Sequence, residues 1–206
     1  MTNPDIMKEN TDEGMKCVYK LCKSEQSAAR QKQLEQGLLQ AMLTQPYEEI
    51  SISDLCDQMN VPRKSFYRYF SNKDGALFAL LDHTFIEYEQ QTNPFLEKKG
   101  YNAIDELSQF FLFWYEHKNL LDALVKNRLS GMLVERATSH ALHERLMPAY
   151  LLQQDKTSQH LAMTFAICGL LAMVIQWHME GYQNSVEEMA HIATMMLTKP
   201  LITRQK

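Results

Sequence analysis

The stretch from Ser51 to Gly75, SISDLCDQMNVPRKSFYRYFSNKDG, constrains this chain more than any other, because two helix starts and a tight turn fall inside it. Ser51 followed by Asp54 forms a capping box, in which the hydroxyl accepts from the Asp54 N–H and the carboxylate reaches back to the Ser51 N–H. Ile52, Leu55 and Met59 then recur at i, i+3 and i+7 with Cys56 beside Leu55, which predicts a helix with that face buried. Asn60 tolerates the left-handed conformation that ends a helix, and Val61 before Pro62 favours an extended backbone, so the chain turns there. Pro62 suits the first position of a second helix. In that helix Phe66 and Phe70, at i and i+4, face inward, which leaves Arg63, Lys64, Ser65, Tyr67, Arg68 and Tyr69 outside. A second capping box, Ser71 with Asp74, opens a longer helix with Lys73 in its first turn. A lysine there opposes the helix dipole unless an anion is near.

A short second helix with exposed Arg, Lys, Ser and Tyr, fixed by a tight turn, has the shape that enters a major groove of about 12 Å. An ordinary helix pair with a solvated charged face is the competing reading. The run VPRKSFYRYFSNKDGALFALL resembles the recognition-helix signature of the tetracycline-repressor (TetR) family of bacterial transcriptional regulators, with its Tyr-x-x-Phe element and a lysine opening the fourth helix. The resemblance spans about Glu25 to Tyr88. It implies that Arg63, Lys64, Ser65 and Arg68 face bases or nearby phosphates, and that Tyr67, Tyr69 and Lys73 meet phosphates. Ser51, Ser53 and Pro62 complete the expected DNA-binding set. Asn60 stands where the family usually has Gly, and Pro62 where it usually has a Ser or Thr cap; both fit the backbone geometry.

The chain has 206 residues and a formal net charge of −4, which argues against general coating of nucleic acid and requires any DNA contact to be local and oriented. Its four cysteines, Cys17, Cys22, Cys56 and Cys168, lack zinc-type spacing, and no apolar leader opens the chain, so a reducing cytoplasm is expected. The sequence has no Gly-rich phosphate loop, nucleophile elbow or His-Glu-x-x-His pair, so neither an enzyme nor a cofactor is expected. His140 and His143, with Glu144, share a helical face but make at most half a tetrahedral site, so no metal is expected.

Helical periodicity runs through the rest, with no strand-like alternation, so the expected fold is all-α. Residues 1–23 are polar and read as a mobile arm. Leu34, Leu38, Ala41 and Met42 mark a first helix over 24–44. Leu77, Leu80, Leu81, Thr84, Phe85 and Tyr88 mark a fourth that reaches about Gln91 and breaks at Asn93-Pro94. This gives an N-terminal three-helix helix-turn-helix DNA-binding domain over 24–92, connecting helix included, and a C-terminal helical domain over 93–206. In the latter, Ile104, Leu107, Phe111, Trp114 and Tyr115 form one amphipathic stretch, 120–129 and 132–142 two shorter ones, and 142–154 a helix that Pro148 kinks.

Leu161 to Trp177 is apolar almost throughout but short of the roughly 20 residues that cross a bilayer, so a buried helix is predicted rather than a membrane span. A helix apolar all round needs cover that a second subunit would supply. Ser185 with Glu188 is a third capping box, opening a last helix. The family resemblance implies that this region binds an effector and forms a homodimer through its last two helices. Phe110, Trp114, His117, Met132, Tyr150, Met173 and Trp177 are the expected lining of a pocket for a small apolar or amphipathic molecule, with plain core as the alternative. Two functions compete: a ligand-responsive homodimeric repressor on palindromic double-stranded DNA, and an all-α small-molecule-binding or interaction protein whose helix-turn-helix is only a packing unit. The outward Arg63, Lys64, Tyr67, Arg68 and Lys73 surface favours the first.

Overall fold

Ser24 accepts a hydrogen bond from the Ser27 N–H and so starts α1 (Glu25–Thr44), whose inner face buries Leu34, Leu38, Leu39, Ala41 and Met42. The structure is a computed structural model and describes residues 19–20, 22, 24–96, 102–140 and 154–198. A short 3-10 turn (Tyr47–Glu49) leads into α2 (Ile52–Gln58), α3 (Arg63–Tyr69) and the long α4 (Lys73–Leu96). After these come α5 (Ala103–Glu116), α6 (Lys118–Lys126), α7 (Ser130–His140), α8 (Lys156–Met179) and α9 (Val186–Thr198). Among the described residues the only extended pairing is an isolated antiparallel bridge between Tyr19 and Phe70, so the fold is all-α.

Local chemistry sets the helix ends, not always through the expected residues. At Ser51 only half of the box forms: its Oγ accepts from the Asp54 N–H at 3.0 Å, but the Asp54 carboxylate takes the hydroxyl proton at 2.7 Å instead of reaching the backbone. The expected Ser71–Asp74 box is absent. Asn72 caps α4 by accepting from the Gly75 N–H at 2.8 Å, and Asp74 is occupied by the Tyr47 hydroxyl at 2.7 Å. The Ser185–Glu188 box forms in both directions, and Asn102 with Asp105 makes another at the start of α5. Asn60 adopts φ +52°, the left-handed turn expected of it. α4 does not break at Asn93-Pro94 but runs to Leu96. With Pro94 within the last turn, its missing N–H removes a bond only where the helix is about to end.

Two contact zones join the first four helices to the rest. α4 packs on α1 and also on α5 and α7, so it crosses the boundary expected at residue 93. α6 packs on the end of α1, where the Asn127 amide donates to Met42 O at 3.0 Å and to Ala123 O at 2.7 Å while its Oδ1 accepts from the Tyr47 N–H at 2.6 Å. Lys126 adds a bond to Leu43 O at 2.7 Å. The last carbonyls of α1, which no helix can satisfy internally, are therefore capped from α6. Within the expected mobile arm, Tyr19 is buried and Lys20 N–H donates to Tyr69 O at 2.9 Å, so these two residues are held. Residues 1–18, with Cys17, and the expected 142–154 helix, but for its last residue, lie outside the described residues.

α8 departs from its expectation. Only Met163, Leu171, Val174 and Trp177 are buried; α8 packs on α6 and α7, and Trp177 also meets α5, whereas Leu161 is 62 % exposed and Phe165 65 %. By length and composition α8 could cross a membrane. Its inner side packs on its own chain, and its outer side, also apolar, does not.

Candidate nucleic-acid interface

Phe66 and Phe70 are fully buried, with ring centroids 5.1 Å apart, and Leu55 and Cys56 of α2 share their core. Those contacts fix the angle between α2 and α3. A bond from the Val61 N–H to Cys56 O at 2.9 Å closes the turn. Met59 at the end of α2 lies over Gly37 of α1, where a Cβ would stand 2.1 Å from its Sδ, so the glycine admits the close approach. With its inner face so held, α3 turns Arg63, Lys64, Tyr67 and Arg68 to solvent and keeps Ser65 half-buried. Pro62 is the exposed residue before the first turn, and Ser51 and Ser53 are half-buried at the start of α2. Four outward groups, three of them cationic, thus share one short, rigidly seated helix.

Two members of the expected set are placed otherwise. Tyr69 is buried, because it lies three residues after Phe66 and so falls near the inner face; its hydroxyl meets Ser27 Oγ at 3.4 Å. Lys73 is turned onto the 3-10 turn: its ammonium donates to the carbonyls of Tyr47, Glu48 (3.4 Å) and Ile50 (2.9 Å) and sits 4.3 Å from the Tyr47 ring centroid. All three ammonium protons are thereby used on carbonyls at the positive end of α4. Burial first, then the bond to Asp74, pushes the Tyr47 phenol far above its ordinary range, so it stays a donor.

The expected effector residues separate into two groups. Phe110 and Trp114 belong to an aromatic cluster between α4, α5 and α7, in which Trp114 meets Phe85 at 6.2 Å, Phe110 meets Tyr88 at 5.9 Å and His140 meets Phe85 at 5.7 Å. His117 stacks on Phe113 at 4.0 Å and lies 3.8 Å from Glu87. Trp177 is elsewhere: it packs on Phe111, Tyr115 and Tyr182, and its indole N–H donates to Asn184 O at 3.0 Å. Trp114 and Trp177 therefore do not line one cavity, and both are buried in the core, each 2 % exposed. Met132 and Met173 are half-buried against that core, and Tyr150, His143 and Glu144 lie outside the described residues. Phe85, Tyr88 and His140 were absent from the expected lining; the i, i+3 spacing of Phe85 and Tyr88 on α4 is the signal that would have found the first two. No group of three or more metal-ligating side chains occurs among the described residues.

The family model for bacterial regulatory proteins of the tetR family matches residues 38–80, the end of α1 through the first two turns of α4. Over these residues the chain is similar to that family. The family so matched comprises bacterial regulatory proteins. Solved structures extend the similarity to the whole fold. The fatty acid degradation regulator FadR from Bacillus halodurans is similar over 85 % of this chain and 97 % of its own, at 14 % identity and a TM-score of 0.55. The TetR family repressor AlkX from a Dietzia strain is similar over 81 % and 92 %, at 16 % and 0.51. The dihydroxyacetone kinase operon activator DhaS follows over 82 % and 94 %, at 15 % and 0.51. No curated protein sequence matches the chain.

Proposed function

We propose that this chain is a TetR-like regulator, a homodimeric repressor that binds a palindromic duplex through α3 and is modulated by a small apolar or amphipathic molecule. The observation that carries the reading is the outward face of α3, where Arg63, Lys64, Tyr67 and Arg68 share the solvent side of a helix seated by Phe66 and Phe70. A packing unit has no use for such a face. In this reading Arg63, Lys64, Ser65 and Arg68 meet bases or adjacent phosphates, Tyr67 meets phosphate, and Ser51, Ser53 and Pro62 approach the backbone. The aromatic cluster of Phe85, Tyr88, Phe110 and Trp114 is the region suited to an apolar effector.

The outer side of α8 supports pairing. Leu161, Phe165, Gly169, Ala172, Gln176 and Met179 are exposed at spacings of three and four, a stripe of helix-packing period, and Met196 and Leu197 of α9 are exposed as well. Burying a large apolar side chain is worth about 1.5–3 kcal/mol. Several from each copy would offset an association cost on the order of 4–15 kcal/mol.

Selection of genomic fragments on the purified protein, followed by footprinting, tests the reading. A palindrome with half-sites about one helical turn apart is expected, bound with a steep inverse dependence on salt. Arg63→Ala is expected to lose about 1–3 kcal/mol of discrimination at particular base pairs. Failure to enrich any fragment at low salt would refute DNA binding. Transcription from the selected site that rises with added protein would refute the repressor role alone.

A further inference from the structure

We infer that Tyr19 is a positioning residue for α3, coupling the exit of the reading helix to α7 through the buried carboxylate of Asp82. At one end, residues 19–20 pair with the chain leaving α3: Tyr19 bridges Phe70, and Lys20 N–H donates to Tyr69 O at 2.9 Å. That carbonyl is one of the last four of α3, which have no partner within the helix. At the other end the Tyr19 hydroxyl donates to Asp82 Oδ2 at 2.5 Å. Asp82, 2 % exposed, also holds Arg136 of α7, with Nε on Oδ1 at 2.8 Å and Nη2 on Oδ2 at 2.5 Å. One buried carboxylate thus binds the segment that caps α3 and the helix that borders the aromatic cluster.

Helical spacing places this junction directly beside that cluster. On α7, Arg136 and His140 are one turn apart on the same face; on α4, Asp82, Phe85 and Glu89 follow at i, i+3 and i+7. His140 lies 5.7 Å from Phe85 and 3.5 Å from Glu89, so the α4–α7 seam is a ladder with Asp82–Arg136 as its lower rung. A molecule that parts α7 from α4 at the cluster withdraws Arg136 from Asp82. A carboxylate this deeply buried does not stay without its cation; it shifts or admits water, and Tyr19, bonded to the same oxygen, moves with it. The movement reaches Tyr69 and Phe70, and with them the orientation of α3. This route runs through the N-terminal segment, apart from any rigid motion of α4.

The proposal rests on the DNA-binding reading for its consequence, and two readouts separate the failures. Tyr19→Phe removes one hydroxyl and is expected to reduce affinity for the selected duplex about tenfold while leaving random duplex unchanged, whereas a merely structural loss lowers both together. Arg136→Met is expected to do the same, with the double variant no weaker than Arg136→Met alone. Independently of DNA, amide exchange at Lys20 is expected to accelerate at least about tenfold in both single variants while α9 amides keep their wild-type rates. Should Arg136→Met not fold, Asp82→Asn combined with Arg136→Met removes both charges and is read at the same amide. Wild-type exchange at Lys20 in the Arg136 variant overturns the coupling whether or not any DNA is found. Wild-type specificity in Tyr19→Phe overturns the positioning role.

Discussion

At the scale of single residues, Lys73 shows how a charge can be structural where its sequence position suggests recognition. Its ammonium fills three carbonyls of the turn over Tyr47, Glu48 and Ile50, which joins α1 to α2. Lys73→Met keeps the stem but strips those carbonyls of a charged donor, and is expected to cost about 1–3 kcal/mol in urea unfolding. Unchanged stability with uniformly weaker DNA binding would return the lysine to the phosphates. A second residue links stability to pH. Glu35 is 1 % exposed, its Oε1 has no hydrogen-bond partner among the described residues, and its Oε2 meets His83 Nδ1 at 2.9 Å. Burial disfavours the charged imidazole, but the bond to Glu35, the Glu35 charge and Asp82 outweigh burial and Lys32, so the His83 pKa lies above its ordinary value. A group raised on folding stabilises fully below its unfolded pKa of about 6.5 and loses that contribution as pH rises through the folded value. The melting-temperature gap between wild type and His83→Gln should therefore be widest near about pH 6 and narrow towards about pH 9. A gap that widens with pH would show that the ring acts as a neutral partner.

At the scale of elements, α8 gives the cleanest test, because a Cβ placed on Gly169 meets nothing within 4 Å in its own chain. Gly169→Leu should leave the protomer's fold intact, read by circular dichroism, and shift sedimentation towards a single chain by overpacking the seam, at about 1–3 kcal/mol. A variant that unfolds, or that sediments like wild type, would place the interface elsewhere. What could be read from sequence divides along the same physical line. α1, α2, α3 and the turn at Asn60 were legible because apolar spacing and the turn residues specify them locally. The cap of α4 was not, since Ser71, Asn72 and Asp74 are all competent caps and only the Tyr47 hydroxyl, distant in sequence, decides that Asp74 is occupied. The reach of α4 past Pro94 depends on how near the helix end lies, which no single residue announces. Tyr69 is buried through its i, i+3 relation to Phe66, which competes with the polar hydroxyl that suggests an outward position. Trp114 and Trp177 are not neighbours because Trp114 extends from α5 onto Phe85 of α4 whereas Trp177 of α8 packs on Phe111 and Tyr115, an arrangement of helices that no local pattern announces.

For the whole molecule, the proposed pairing through the outer face of α8 would tie assembly to the amount of chain present. Under the proposed pairing, the species that offers two reading helices forms by a second-order encounter, and heat must part the copies as well as unfold them. The thermal midpoint is then expected to climb as the protein is concentrated from about 1 to about 100 μM, in calorimetry or by fluorescence of Trp114 and Trp177. A midpoint independent of concentration would mean that the outer face of α8 stays wet. Near its dissociation constant a paired regulator responds to dilution more steeply than in proportion, since halving the chain removes more than half of the pairs. A cell that grows without renewing this protein would therefore vacate its binding sites ahead of the fall in protein itself, so that Leu161, Phe165 and their neighbours would make the regulator a gauge of its own synthesis.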